Sequence, residues 1–330
     1  MTGLPAGGAA GKWKAIALVA TLLLLGLFPF VGSGFYVELV AKIMILSIFA
    51  LSLDLLVGYT GLVSFGHAAF FGIGAYALAL MTPKYEAANL WLTLPAAMLA
   101  AALAAFAVGL FVVRVKGVYF IMVTLAFAQM FYFVFHDTKF GRGSDGISMN
   151  FKPVATIGSF TPFDLAKGSH VYYCVLVLLV AVFVFLHVVL RSSFGRALQG
   201  IRSNEHRMRS LGFPVYWYKL ASFTLAGTIA GLAGYLSTLQ FGFVNPELLS
   251  WHQSGNVLLM LILGGVGSLY GAVVGAFAFV ALTEIFQALT NHWQLLLGAA
   301  IILLVIFLPG GLASVAGRFR RTLVGEADDA

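Results

Sequence analysis

His67 stands in an apolar stretch beside Ser64, Gly66 and Ala68, and an imidazole in such company invites three kinds of chemistry. Metal binding needs further donors, but no His, Cys or carboxylate sits at ligand spacing from it. Nucleophilic or hydrolytic work needs a Ser–His pair, paired aspartates or a zinc set, and the spacing of residues offers none. What remains is a polar group lining a path, with Ser64 and Gly66 beside it, or a ring hydrogen-bonded to neighbouring backbone. ATP chemistry is also absent. Gly11-Lys12 is followed by Trp13, the position five before Gly11 is Ala6, and no other Gly-Lys-Ser/Thr exists, so no phosphate-cradling loop forms. The chain is therefore not expected to be an enzyme, and no cofactor or metal is expected. Three further charges fall within or near apolar runs. Asp54 lies near the end of its run, where water or a helix-terminal backbone donor would satisfy it. Glu284 is deeper and is expected to pair with Lys42 in a structural ion pair.

The elements that hold these residues follow from composition. Of 330 residues, 61% are hydrophobic and 9% are charged, against about 25% in an ordinary soluble domain. A water-soluble globule of this length needs more polar surface than that. A cytosolic enzyme, a disordered scaffold and a disulfide module are excluded, since Cys174 is the single cysteine. The net charge of +7 comes from short clusters between apolar runs, not from a basic face interleaved with aromatics, so no nucleic-acid partner is expected. The chain reads as an all-α, polytopic membrane bundle.

A crossing helix needs about 20 apolar residues. About ten spans are expected, near 15–32, 36–57, 61–82, 91–113, 117–136, 170–190, 220–240, 253–266, 269–289 and 292–308. Gly61, Gly66, Gly72 and Gly74 make the third a candidate for irregularity, and the eighth is short enough to be re-entrant or broken. The first, preceded by Lys12 and Lys14, is expected to be an uncleaved helix and not a signal peptide. With the N-terminus inside, thirteen of the nineteen Lys and Arg fall on the cytoplasmic side, five outside, and Lys42 in a span. That asymmetry fits the positive-inside rule with both ends cytoplasmic. Residues 1–330 read as one membrane domain with an outer loop at 137–169, an inner loop at 191–219 and a cytoplasmic tail at 318–330.

The inner loop is more than a tether. From Phe194, the apolar residues Ala197, Leu198 and Ile201 recur at spacings of three and four, followed by Met208 and Leu211. This predicts a short amphipathic helix pair interrupted around Asn204, with Arg202, Arg207 and Arg209 on polar sides and Gly212 and Pro214 ending it. Such an element docks on a partner or lies on anionic membrane lipid. Directly after it, Gly227, Gly231 and Gly234 form a small-residue face that lets helices approach closely, within a bundle or across a dimer.

With these segments goes a resemblance. Leu53–Tyr76, the outer Gly143-Ser144-Asp145-Gly146-Ile147, the Gly264–Ala272 stretch and the inner loop with its following helix resemble, in order and spacing, the LivM-type permeases of bacterial branched-chain amino-acid ABC importers. The resemblance runs from about residue 40 to 310. It implies a type II-like importer fold in the cell inner membrane and a related, LivH-like permease as heterodimer partner. It also implies two cytoplasmic ABC ATPase subunits and a periplasmic solute-binding protein. By the same resemblance, Gly195 to Gly212 is the coupling element on the ATPases, with Gly195, Arg196, Ile201, Arg202, Glu205, Arg207, Leu211 and Gly212 as its residues. Gly143, Ser144, Asp145 and Gly146 then face the binding protein, for docking or gating, although Asp145 among glycines is also what a plain turn requires. Charge reversal at Arg202 and Arg207 is expected to uncouple ATP hydrolysis from uptake. Urea or a short amide as solute, and a passive channel, are the competing functions.

Overall fold

The structure is a computed structural model. It describes residues 21, 24–30, 32–83, 85–138, 141–149, 151–157, 160–163, 165, 167–308 and 310–313. Half of the first expected span, and the tail 318–330 with Arg318, Arg320 and Arg321, lie outside the described residues. Of the first span, residues 24–30 are helical, and the Tyr172 and Tyr173 hydroxyls donate to the Leu25 and Gly26 carbonyls at 2.7 and 3.0 Å.

Helix α1 (Gly34–Asp54) runs on into a π-helical turn, Leu55–Thr60, to make one 27-residue apolar rod. Gly61, at φ +78°, ends it, and residues 61–66 follow an irregular path. Helix α2 (His67–Met81) then has only 15 residues, about 22 Å at 1.5 Å per residue, against a hydrocarbon core of about 30 Å. The third expected span is therefore an irregular entry plus a short helix, as its glycines suggested. Helices α3 (Leu90–Val112), α4 (Val118–Asp137) and α5 (Gly168–Arg191) are long and apolar enough to cross. The surface helices α6 (Ser193–Ser203) and α7 (Glu205–Ser210) precede α8 (Val215–Phe241). Helix α9 (Trp251–Gly264) has 14 residues and is broken from α10 (Leu269–Leu289) by Gly265 and Gly267, both at positive φ. Helix α11 (Trp293–Phe307) closes the bundle.

Among the described residues, six helices are long and apolar enough to cross a membrane, α2 and α11 are shorter apolar pieces, and α9 has 14 residues. The rod α1–π and helix α8 are the centre, with 83% and 72% of their membrane windows buried, whereas α4 is peripheral at 22%. Helix α8 packs on α1, α2 and α3, and its glycines explain how. A Cβ at Gly227 or Gly231 would strike Ala105 or Ala101 of α3, and one at Gly234 would fall on the Phe71 carbonyl of α2. The small-residue face is thus spent inside this chain's own bundle.

Helix α8 begins at Val215, five residues before the expected 220. Lys219 marks that stretch as loop by sequence, yet it is inside the helix and only 5% exposed. At the end of the bundle away from α6 and α7, β1 (Ile147–Ser148) pairs antiparallel with β4 (Phe243–Val244) after α8, and β2 (Ala155–Ile157) pairs with β3 (Phe160–Phe163).

Candidate functional site

The surface element between α5 and α8 is built by caps. The Ser192 hydroxyl accepts from the Gly195 amide at 3.4 Å and starts α6, and the Asn204 side chain accepts from the Arg207 amide at 2.9 Å and starts α7. The interruption falls at Asn204, as the apolar spacing required. Gly195 lies so close to the end of α5 that a Cβ would strike Leu190. Ala197, Leu198 and Ile201 are buried against the bundle, while Arg196 and Arg207 are exposed and Leu211 is 65% exposed. Gly212, at φ +84°, ends α7, where the Phe213 amide donates to the Met208 carbonyl at 3.2 Å.

Two of the residues expected to face a partner, Arg202 and Glu205, are tied to this chain, as is Arg209 of the polar side. Glu205 takes Lys219 Nζ on Oε2 at 2.8 Å, and Lys116 Nζ and Arg209 Nη2 on Oε1 at 2.9 and 2.8 Å. Burial would raise the Glu205 carboxyl, but the hydrogen bonds and charges of Lys219 and Lys116 outweigh it and hold the group below the ordinary carboxylate range. Arg209 is therefore an ion-pair partner and not simply a polar-face charge. Arg202 is exposed, yet it reaches the bundle, where its Nη1 donates to the Gly58 carbonyl in the π turn. Neither contact is visible in the spacing, because the partners lie 14 and 144 residues away.

At membrane depth, the break 61–66 is closed by borrowed hydroxyls. The first amides around α2 donate to Thr124 Oγ1 of α4 (from Phe65, 3.3 Å), to Ser64 Oγ (from Gly66, 3.2 Å) and to Ser254 Oγ of α9 (from Ala68, 2.9 Å). His67 is fully buried, lies against Phe49 with the rings nearly parallel, and shares a hydrogen bond of 2.8 Å with Ser52 Oγ of α1. This corrects two expectations. The ring's partner is a side chain and not backbone, and a Ser–His pair does exist. It lacks the third group that orients a base, since Nδ1 has no hydrogen-bond partner among the described residues. Ser64, Gly66 and His67 are brought together, but in a sealed junction. The large cavity, about 700 Å³, is an open apolar groove between α3, α5 and α8, lined by Met98, Phe106, Leu178, Phe185 and Trp217 among others, and none of the three reaches it.

The Gly143–Gly146 cluster is clamped. Gly143–Asp145 form one 3-10 turn with Arg142 and Gly143 at positive φ, and a Cβ at Gly146 would strike the Val244 carbonyl. Ser144 and Asp145 are exposed above it. The expected ion pair within the bundle is present, with Lys42 Nζ 3.8 Å from Glu284 Oε1. Asp54 finds a backbone donor at a helix start, the Gly267 amide, 2.8 Å from Oδ1.

Residues 35–306 match the family described as branched-chain amino acid transport system, permease component. The chain belongs to this permease family. It is 33% identical to the high-affinity branched-chain amino acid transport system permease protein LivM of Escherichia coli (strain K12), over 94% of this chain and 77% of that protein. The LivM protein of Salmonella typhimurium (strain LT2) is 32% identical over the same shares. A shorter likeness, 30% over 36% of this chain and 32% of the relative, connects it to the xylose transport system permease protein XylH of Escherichia coli (strain K12). No solved structure matches. As a LivM-type permease, the chain is a multi-pass protein of the bacterial inner membrane and is a transport component, not an enzyme.

Proposed function

We propose that this permease carries branched-chain, hydrophobic amino acids into the cell as one subunit of an ABC importer. The observation that carries the reading is the 33% identity, across nearly the whole chain, to a protein named for that transport. In this reading residues 1–330 act as a single permease domain beside a related, LivH-like subunit. Cytoplasmic ATPases seat on α6 and α7, where Arg196, Arg207 and the exposed Leu211 offer a basic face with an apolar knob. Gly195 and Gly212 shape that element, and buried Ile201 fastens it to the bundle. The solute-binding protein approaches Ser144 and Asp145 on the outer turn made by Gly143 and Gly146. Ser64, Gly66 and His67 border the route taken by the solute once the bundle opens. ATP-driven closure of the ATPases would push α6–α7 and switch the side on which the route opens, provided each state binds ATP or donor protein differently.

The test is uptake in liposomes holding the permease, its neighbouring permease and the ATPases, fed with loaded binding protein. Radiolabelled leucine is expected to accumulate only with ATP inside, and urea is not. Accumulation of urea without leucine, or leucine entry that ignores ATP, would overturn the assignment.

A further inference from the structure

Two membrane helices of this bundle are interrupted, at 61–66 and at 265–268, and both interruptions converge on one arginine of the surface helix α6. The rod α1–π ends with unfilled carbonyls, as every helix does. Arg202 Nη1 donates to one of them, Gly58 O, and a cation at a helix C-terminus is also favoured by the helix dipole. The stem of the same arginine lies against Gly61, the residue at which the rod stops, since a Cβ there would sit 3.1 Å from Arg202 Cγ. The second interruption arrives from the other side. Gly267, at φ +83°, comes so near that a Cβ at Gly58 would lie 2.7 Å from its Cα and amide nitrogen, and a Cβ on Gly267 itself would lie 3.4 Å from Arg202 Nη1. One turn before Gly58, Asp54 Oδ1 accepts the Gly267 amide at 2.8 Å, a carboxylate at the start of α10 where the dipole favours an anion. Asp54 Oδ2 has no hydrogen-bond partner among the described residues.

From this convergence we propose that Arg202 is a positioning residue that couples the placement of α6 to both helix breaks. It works toward the bundle, while the outward side chains of α6–α7 meet the ATPases; that last clause alone rests on the function proposed above. A shift of α6 withdraws the guanidinium from Gly58 and from the Asp54–Gly267 link at once, so the two breaks loosen together. Lysine at this position reaches one acceptor as a point donor and retains part of the link.

Hydrogen exchange on the full chain in lipid nanodiscs, without ATPases, tests the link directly. In Arg202→Gln, amides in 61–66 and 265–268 are expected to exchange about tenfold faster together, a coupling of ordinary size. Arg202→Lys should lie between, and the interior of α8 should stay protected in both, which reports an intact bundle. Change confined to α6, or to one break, would overturn the proposal. In the assembled importer, Arg202→Gln is expected to keep its ATPases attached yet move about tenfold less leucine per ATP. Parallel loss of ATPase attachment would overturn it by making Arg202 a partner contact. Failure of the unaltered chain to hold any ATPase would instead sink the function proposed above, and the exchange measurement would still decide the link.

Discussion

Lys219 Nζ donates to Glu205 Oε2 at 2.8 Å, and through this pair the surface helix α7 is fastened to the foot of the central helix α8. The lysine is 5% exposed, so its charge at the membrane edge depends on the carboxylate.

Glu205→Gln should therefore cost about 3 kcal/mol, the usual penalty for leaving one member of a buried pair alone. Thermal unfolding of the detergent-solubilised protein checks it. Adding Lys219→Met should return part of the loss, because the stranded ammonium is then gone; a double variant no better than the single would show that the pair is not what α7 rests on.

The same cluster has a pH signature. The Glu205 carboxyl is held below its ordinary value, near 4.5 when unperturbed. A group lowered in the folded state contributes its full stability above the unfolded value and loses it as pH falls through the folded value. Stability should thus be flat above about pH 5 with respect to this group and decline below about 4.5. Melts across pH 3.5–7, with Glu205→Gln lacking that part of the acid limb, read it out.

Glycine positions offer a matched contrast. Gly234→Ala drives a methyl onto the Phe71 carbonyl, whereas a Cβ at Gly255 or Gly298 meets nothing within 4 Å. The first should destabilise by about 2 kcal/mol or more, as overpacking does, and the other two should be close to neutral or slightly stabilising. Yield and melting temperature of the three variants, side by side, give the comparison.

Ser52→Ala leaves His67 Nε2 buried without its partner, at a cost of about 1–3 kcal/mol. Ser254→Ala removes the acceptor from the Ala68 amide and should cost about 1 kcal/mol, as a lost helix cap does. Faster hydrogen exchange at 65–68 should accompany the second. Unchanged exchange there would mean that water replaces the serine at no cost.

Arg207 and Arg202, grouped by sequence, should now separate. Arg207 is exposed, so Arg207→Glu should weaken ATPase attachment about tenfold while leaving stability unchanged. Pull-down of the ATPases against salt concentration measures it.

The parts of this molecule that were legible in the residues are those where chemistry is local or rare. Ala197, Leu198, Ile201 and Met208 fix the α6–α7 pair through helical spacing, and Asn204 marks its joint. Lys42 and Glu284 were pairable on sight because charges within apolar spans have few partners. The glycines of the third span announced one irregular stretch and the shortness of 253–266 another, but not that the two meet. The Ser52–His67 pair was hidden by a separation of fifteen residues across the π turn. Lys219 disguised the first turn of α8 as loop because its neutralising partner lies in another helix. The inward aim of Arg202 depends on Gly58, 144 residues earlier, and no periodicity encodes a contact of that range.

The amides that open α2 are held by oxygen atoms belonging to α4 and α9, two different walls of the bundle. Parting those walls strips the amides of their acceptors in a medium that supplies no replacements. Any passage that widens along this seam must therefore flood as it forms, or be filled at once by a cargo bearing its own acceptor oxygens. A dry opening at this depth is closed to the molecule.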